Sequence, residues 1–361
     1  MTKLYFISPL MSWVLTLMLI PFLRILALKT GLIDKPNHRK VHAEAVPLIG
    51  GISIFISIVL TLALVVPLNN ELLVYKNTFT GVVILLIMGI LDDRFDLRAS
   101  LKLSVQLLLA HFVYSQGIML SSFHGLLGIY ELAAWQQYLL TMVIITGVVN
   151  AFNLMDGIDG LAAGLAILGF GIFAVLAFLT GKPLMALVYL TFIGALLAFL
   201  RFNLSKSQKI FMGDAGSLMI GFVMVVSGLR LIQVARTSAE WSIVTLGVFA
   251  VLLVPVFDAL RVFRRRVKSG KSPFHADRTH LHHLILISGF KHKAAAILIV
   301  GIMLLISVIG YISLQFAGLT LAIFSMLLFF FVLSSLLQFN EKINNWKVFI
   351  KVRERENSVT P

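Results

Sequence analysis

Residues 135–160 read Trp135-Gln-Gln-Tyr-Leu-Leu-Thr-Met-Val-Ile-Ile-Thr-Gly-Val-Val-Asn150-Ala-Phe-Asn153-Leu-Met-Asp156-Gly157-Ile-Asp159-Gly160. A helix-length apolar run ends abruptly in amides, carboxylates and glycines, and that alternation recurs along the chain. Runs of about 15 to 22 apolar residues are each close to the roughly 20 needed to cross the hydrocarbon core as a helix. They are expected near 5–27, 48–67, 78–91, 101–120, 135–153, 161–179, 183–200, 216–233, 241–257, 294–314 and 316–338. Of 361 residues 59% are hydrophobic and 13% charged, with a mean hydropathy of +0.98. A soluble domain cannot hide that much apolar surface. The fold class expected is therefore all-α, a polytopic membrane protein with about 11 transmembrane helices in one catalytic domain over 1–340. A basic tail at 341–361 follows. The first run is longer than a signal-peptide core and is kept as a helix. With no cysteine, any metal must use oxygen or histidine.

An odd number of spans puts the termini on opposite sides, and the basic residues say which side is which. Lys3, Lys76, Lys182, Arg230 and Arg236 fall on one side and the rest of the 30 Lys and Arg on the other. The C-terminus and an active site on that face are thus expected to be cytoplasmic. All nine aspartates (Asp34, Asp92, Asp93, Asp96, Asp156, Asp159, Asp214, Asp258 and Asp277) share the basic side, while Glu71, Glu131 and Glu240 do not. The positive-inside rule makes no demand on acids, so the clustering needs its own cause. Short carboxylates suit a hard divalent ion, Mg²⁺ or Mn²⁺, that grips phosphate oxygens, with Asp214 and Asp159 as the expected ligands. The net charge of +14 suits phosphorylated substrates and anionic lipid headgroups. A transporter would carry its charges near the bilayer midplane, whereas these lie at helix ends.

Four segments carry the chemistry. Asp92 and Asp93 adjoin at the end of the third helix, where mutual repulsion could raise one carboxyl and make it a base; such pairs also serve as solvated caps. Lys102, four residues before Gln106, offers a cation opposite them. Asn150, Asn153, Asp156 and Asp159 recur every three residues, a spacing that keeps neighbours on one helical face with a drift of about 60° per step, while Gly157 and Gly160 allow close backbone approach. Asp214 lies between Gly213 and Gly216 at a helix start, where free N–H groups favour anions. The segment 258–293, expected to be the longest internal cytoplasmic loop, carries Arg264-Arg265-Arg266 and then Arg278, His280, His282 and His283. These histidines are read as hydrogen-bonding groups for a sugar or phosphate rather than as zinc ligands.

In order along the chain, Asp92-Asp93, Asn150-x-x-Asn153-x-x-Asp156-Gly157-x-Asp159-Gly160, Phe211-Met212-Gly213-Asp214-x-Gly216-Ser217 and Asp277-Arg278-x-His280-Leu281-His282-His283 resemble the motifs of the polyprenyl-phosphate N-acetylhexosamine-1-phosphate transferase superfamily. The similarity begins at Asp34-Lys35-Pro36-Asn37 and Pro47-Leu48-Ile49-Gly50-Gly51 and so covers most of the chain. The histidine motif is of the form found in members that use UDP-N-acetylglucosamine. Members making peptidoglycan lipid I carry Pro-x-His-His-His, and here no proline directly precedes the histidines. Lys102 fits the Lys-x-x-x-Gln pattern, at a shorter distance from Asp93 than in those enzymes.

The resemblance implies transfer of N-acetylglucosamine 1-phosphate from UDP-GlcNAc to undecaprenyl phosphate with release of UMP, in the bilayer of a bacterial inner membrane. This is the first membrane step of a cell-surface polysaccharide. It implies Asp92, Asp93, Asp156 and Asp159 as catalytic residues, with Asp92 facing the acceptor and Asp93 facing the metal or Lys102. Lys102, Asn150, Asn153, Arg278, His280, His282 and His283 would bind substrate. The alternative donor is a UDP-MurNAc-pentapeptide. No nucleic-acid partner is expected, and a homodimer is compatible with the reading.

Overall fold

A computed structural model describes residues 3–34, 45–66, 75–235, 237–272 and 279–359. Its helices are α1 (Leu4–Thr30), α2 (Gly50–Val65), α3 (Lys76–Phe95), α4 (Ala99–Ser115), α5 (Ala134–Asn153), α6 (Leu161–Leu179), α7 (Pro183–Asn203), α8 (Gly213–Val234), α9 (Ser238–Lys268), α10 (Leu281–Ile287) and α11 (His292–Val359). The protein is an all-α polytopic membrane protein. Six of the described helices are long and apolar enough to span a bilayer by themselves. Each apolar run of the sequence forms a helix or part of one. Large side chains such as Phe6, Met18, Phe316 and Phe324 point outward on α1 and α11, as a surface solvated by lipid requires.

Three local expectations are corrected. The ninth helix does not stop at 257: α9 continues to Lys268, so Asp258 and the arginine triplet are helical. Once the apolar stretch ends, Arg261, Arg264 and Arg265 are good helix formers with nothing to break the turn, and the intervening loop shrinks. Residues 341–359 extend the last helix instead of forming a separate tail, whereas the two final apolar runs form two helices, as expected, that meet at the non-helical Gly318 (φ 75°, ψ 175°). The fourth run stops at Ser115, and a hairpin of β3 (Ser122–Leu126) and β4 (Ile129–Glu131) leads into α5.

The bundle is organised around α8, which is buried along almost its whole length and packs on α2, α3, α5, α6 and α9. In lipid, helices associate by close packing rather than by hydrophobic burial, so small residues mark the interfaces. A Cβ on Gly51 would lie 2.2 Å from the Gly216 nitrogen, and one on Gly89 would lie 2.3 Å from the Ala215 Cα. Backbone therefore meets backbone where α2 and α3 cross the start of α8. The two-residue strands β1 (Ile33–Asp34) and β2 (Val46–Pro47) pair antiparallel. Beyond them the Gly50 and Gly51 N–H groups donate to the Phe211 and Met212 carbonyls at 2.9 Å. The Pro47–Gly51 turn is thus stitched to the segment that introduces Asp214.

Candidate active site

At this end of α8 the polar residues converge. Asp93, in the last turn of α3, accepts from the backbone N–H of Asp214 at 2.8 Å and of Ala215 at 3.2 Å. It satisfies donors that a helix start leaves without intrahelical partners. Gly213, with φ 74°, has no room for a side chain, since a Cβ would lie 2.5 Å from the Asp93 carboxylate. Asp92 turns elsewhere: one oxygen takes the Leu97 N–H at 2.8 Å and the other the Lys102 ammonium at 2.6 Å. Of the two partners expected for Asp93, the metal or Lys102, Lys102 is taken by Asp92 instead, because successive helical side chains diverge by about 100° and Asp93 is bound to the α8 terminus.

Lys102 also stands 3.7 Å from Asp214 Oδ2. Asp214 Oδ1 accepts from Asn153 Nδ2 at 3.0 Å, and the same amide reaches Ser217 Oγ at 3.0 Å. Asp34 and Asp96 lie close enough to act electrostatically on Asp93 and Lys102 respectively. Asp156 follows α5 in a turn, within the field of Asp214, Asp93 and Asp159. Its burial, and then these like charges, hold its carboxyl well above the usual range, against a hydrogen bond from the Gly213 backbone. Asp159 pairs with Lys209 at 2.6 Å, and Lys209 rests 5.2 Å from the Phe211 ring.

The histidines arrive on α10. Asp258, fully buried in α9, accepts from Arg261 at 2.6 Å, His280 Nδ1 at 2.9 Å and the Leu281 N–H at 3.0 Å. Arg261 also donates to the Thr279 carbonyl at 2.6 Å. His280 and His282 stack nearly parallel at 5.9 Å, and the His283 ring lies 4.3 Å from that of His282. A Cβ on Gly157 would sit 2.7 Å from His282 Nε2. The glycine thus brings the histidine pair directly onto the Asp156–Asp159 turn. Burial, and then the neighbouring His283 and His280, lower the His282 pKa to about 3, so the ring is neutral at physiological pH. Among the described residues His280 Nε2 and His282 Nδ1 have no hydrogen-bond partner.

Asn150 stands back from the carboxylates: it donates to Gln106 on α4 and to the Thr146 carbonyl, which joins α4 to α5. Arg278 lies outside the described residues. Lys209, Asp258 and Arg261 went unremarked as site residues in the sequence; only the placement of Asp258 with the other aspartates hinted at one of them.

Among the described residues no three His, Asp or Glu side chains form a ready-made metal cage. Mg²⁺ is commonly held by one or two carboxylates together with substrate phosphates and water, and the donor set fits that mode. Asp156 has no cation against it among the described residues, Asp214 faces it, and Asp159 would have to exchange Lys209 for an ion.

The glycosyl transferase family 4 profile matches residues 75–232. The undecaprenyl-phosphate alpha-N-acetylglucosaminyl 1-phosphate transferase of Yersinia pestis is 33% identical over 295 residues, covering 80% of this chain and 79% of that protein. The protein of the same name from Escherichia coli (strain K12) is 33% identical over 298 residues, covering 81% and 79%. The probable undecaprenyl-phosphate N-acetylglucosaminyl 1-phosphate transferase of Bacillus subtilis (strain 168) is 34% identical over 348 residues, covering 95% and 94%.

Proposed function

The chain belongs to glycosyl transferase family 4, and from that premise we propose that it transfers N-acetylglucosamine 1-phosphate from UDP-GlcNAc to undecaprenyl phosphate. The observation that carries the reading is the meeting of Asp92, Lys102, Asn153, Asp156, Asp159, Lys209, Asp214 and the neutral His282 at one end of an apolar bundle. A lipid phosphate and a nucleotide can meet only at such a boundary, here on the cytoplasmic side. An oxygen of the lipid phosphate attacks the sugar-bearing phosphorus, a new P–O bond forms, and the anhydride bond to UMP breaks with its electrons leaving on UMP.

Positioning and charge neutralisation carry most of such a step. Lys102, held by Asp92, supplies a fixed cation for the phosphates, and Lys209, on leaving Asp159, supplies a second. Asp156, whose carboxyl holds its proton more tightly than an ordinary aspartate, is the acceptor for a proton still on the lipid phosphate. Asp92 is bound at both oxygens and acts by keeping Lys102 in place. Neutral His282, with His280 stacked beside it, presents ring nitrogens to the sugar and pyrophosphate. Asp214, joined by Asp159 once Lys209 moves to substrate, would hold Mg²⁺ or Mn²⁺. When bound, the ion supplies neutralisation of the donor pyrophosphate.

The test uses membranes containing the protein, undecaprenyl phosphate and Mg²⁺. UDP-GlcNAc should yield lipid product and UMP, UDP-MurNAc-pentapeptide should yield none, and chelation should stop the reaction until Mg²⁺ is restored. Equal product from both donors would overturn the donor assignment, and full activity under chelation would overturn the metal.

A further inference from the structure

Toward the opposite end of the bundle, α2, α3, α7 and α8 line a cavity of about 350 Å³, within the range of about 300–1,000 Å³ usual for ligand sites. Its wall is apolar, with Phe55, Ile58, Phe192 and Val223 among the lining residues, yet Lys76 and Arg230 also line it. Lys76 lies sixteen residues before Asp92 on α3, and Arg230 sixteen residues after Asp214 on α8. At 1.5 Å per residue each is about 24 Å from the catalytic cluster. The sequence places Lys3, Lys76, Lys182, Arg230 and Arg236 on this side of the membrane, where the positive-inside rule keeps cations scarce. Two of these five meet at one apolar cavity. Arg230 is further located by the Tyr75 ring, 5.0 Å from its guanidinium carbon, and buried Tyr189 and Ser227 line the same space.

We propose that this cavity binds an anionic glycerophospholipid, one acyl chain inside and the phosphate at Arg230 and Lys76. Apolar walls accept a chain and exclude a soluble anion, whereas the two cations select a headgroup with net negative charge. A cation beside a lipid surface favours an anionic headgroup by about 1 kcal/mol, so the pair should give a preference of about tenfold or more over a zwitterionic lipid. The polyprenyl acceptor is a different occupant of a different place, because its phosphate must reach the aspartates.

The experiment is native mass spectrometry of the full chain in detergent, titrated with phosphatidylglycerol or with phosphatidylcholine of the same acyl chains. The wild type should bind phosphatidylglycerol at about one-tenth the concentration needed for phosphatidylcholine. Arg230→Gln with Lys76→Gln should erase the preference, and Ala63→Phe, which narrows the cavity, should weaken both lipids. UMP release by these variants should stay at the wild-type rate, showing an intact fold. If the double variant does not fold, Lys76→Gln alone, at an exposed side chain, should reduce the preference about fivefold. Equal binding of the two lipids by the wild type, an undiminished preference in the charge variants, or displacement of the lipid by inorganic phosphate would each overturn the site.

Discussion

Asp92 and Asp93 are adjacent in sequence and are committed to different partners: Asp92 to Lys102 and the Leu97 N–H, Asp93 to the first amides of α8. Their amides should therefore fail differently. Asp93→Asn loses an acceptor that two backbone donors share and should lower stability by about 1–2 kcal/mol, read as a drop in thermal midpoint in detergent. Asp92→Asn should keep that midpoint but release Lys102 and lower turnover by about tenfold or more, with donor binding intact. Identical behaviour in both measurements would remove the division of roles.

His282 gives a pH signature. Its pKa falls from 6.5 in the unfolded chain to about 3 in the fold, so the folded state disfavours the charged ring. Its contribution to stability is fully present above about pH 6.5 and is lost as pH falls toward 3. Thermal midpoints measured across that window should decline less steeply in His282→Gln than in the wild type.

Single glycines decide how elements meet, and the structure separates two kinds. Gly157 faces the far end of a side chain, His282 Nε2, whereas Gly51 faces the Gly216 backbone. Gly157→Ala should displace the histidine pair and raise the KM for the UDP-sugar several-fold with little change in thermal midpoint. Gly51→Ala should force α2 off α8 and cost about 1–3 kcal/mol of stability. Donor titrations and melting curves on the same preparations check both, and an unchanged KM in Gly157→Ala would detach α10 from donor binding. The clamp of Asp258 on Arg261, His280 and Leu281 shows why α10 can be only seven residues long and still hold position. A buried carboxylate with three donors over-determines its start.

For the whole molecule, the aspartate end and the Lys76–Arg230 end lie on opposite faces of one bundle. The Lys and Arg bias predicts that a tag at residue 361 should be reached from the cytoplasm and one at residue 1 only from the other side; both ends reporting the same side would contradict the expected odd number of spans. The sequence alone determined the solvent and the gathering of the motif residues at helix ends. Apolar runs of bilayer length admit only helices, and the bias of Lys, Arg and Asp assigns charge to helix ends without any knowledge of packing. The motif residues were legible because Asn153, Asp156, Asp159 and Asp214 break apolar runs where only chemistry or a turn explains them. What each one touches was decided by tertiary structure. Lys209 reaches Asp159 and Asp258 reaches His280 across gaps of 50 and 22 residues, and no local pattern encodes such a pairing. The length of α9 was misread for a related reason. Hydropathy reports where lipid ends, whereas a helix continues past that boundary as long as its backbone hydrogen bonds and side-chain partners, such as Arg265 with Glu341, sustain it.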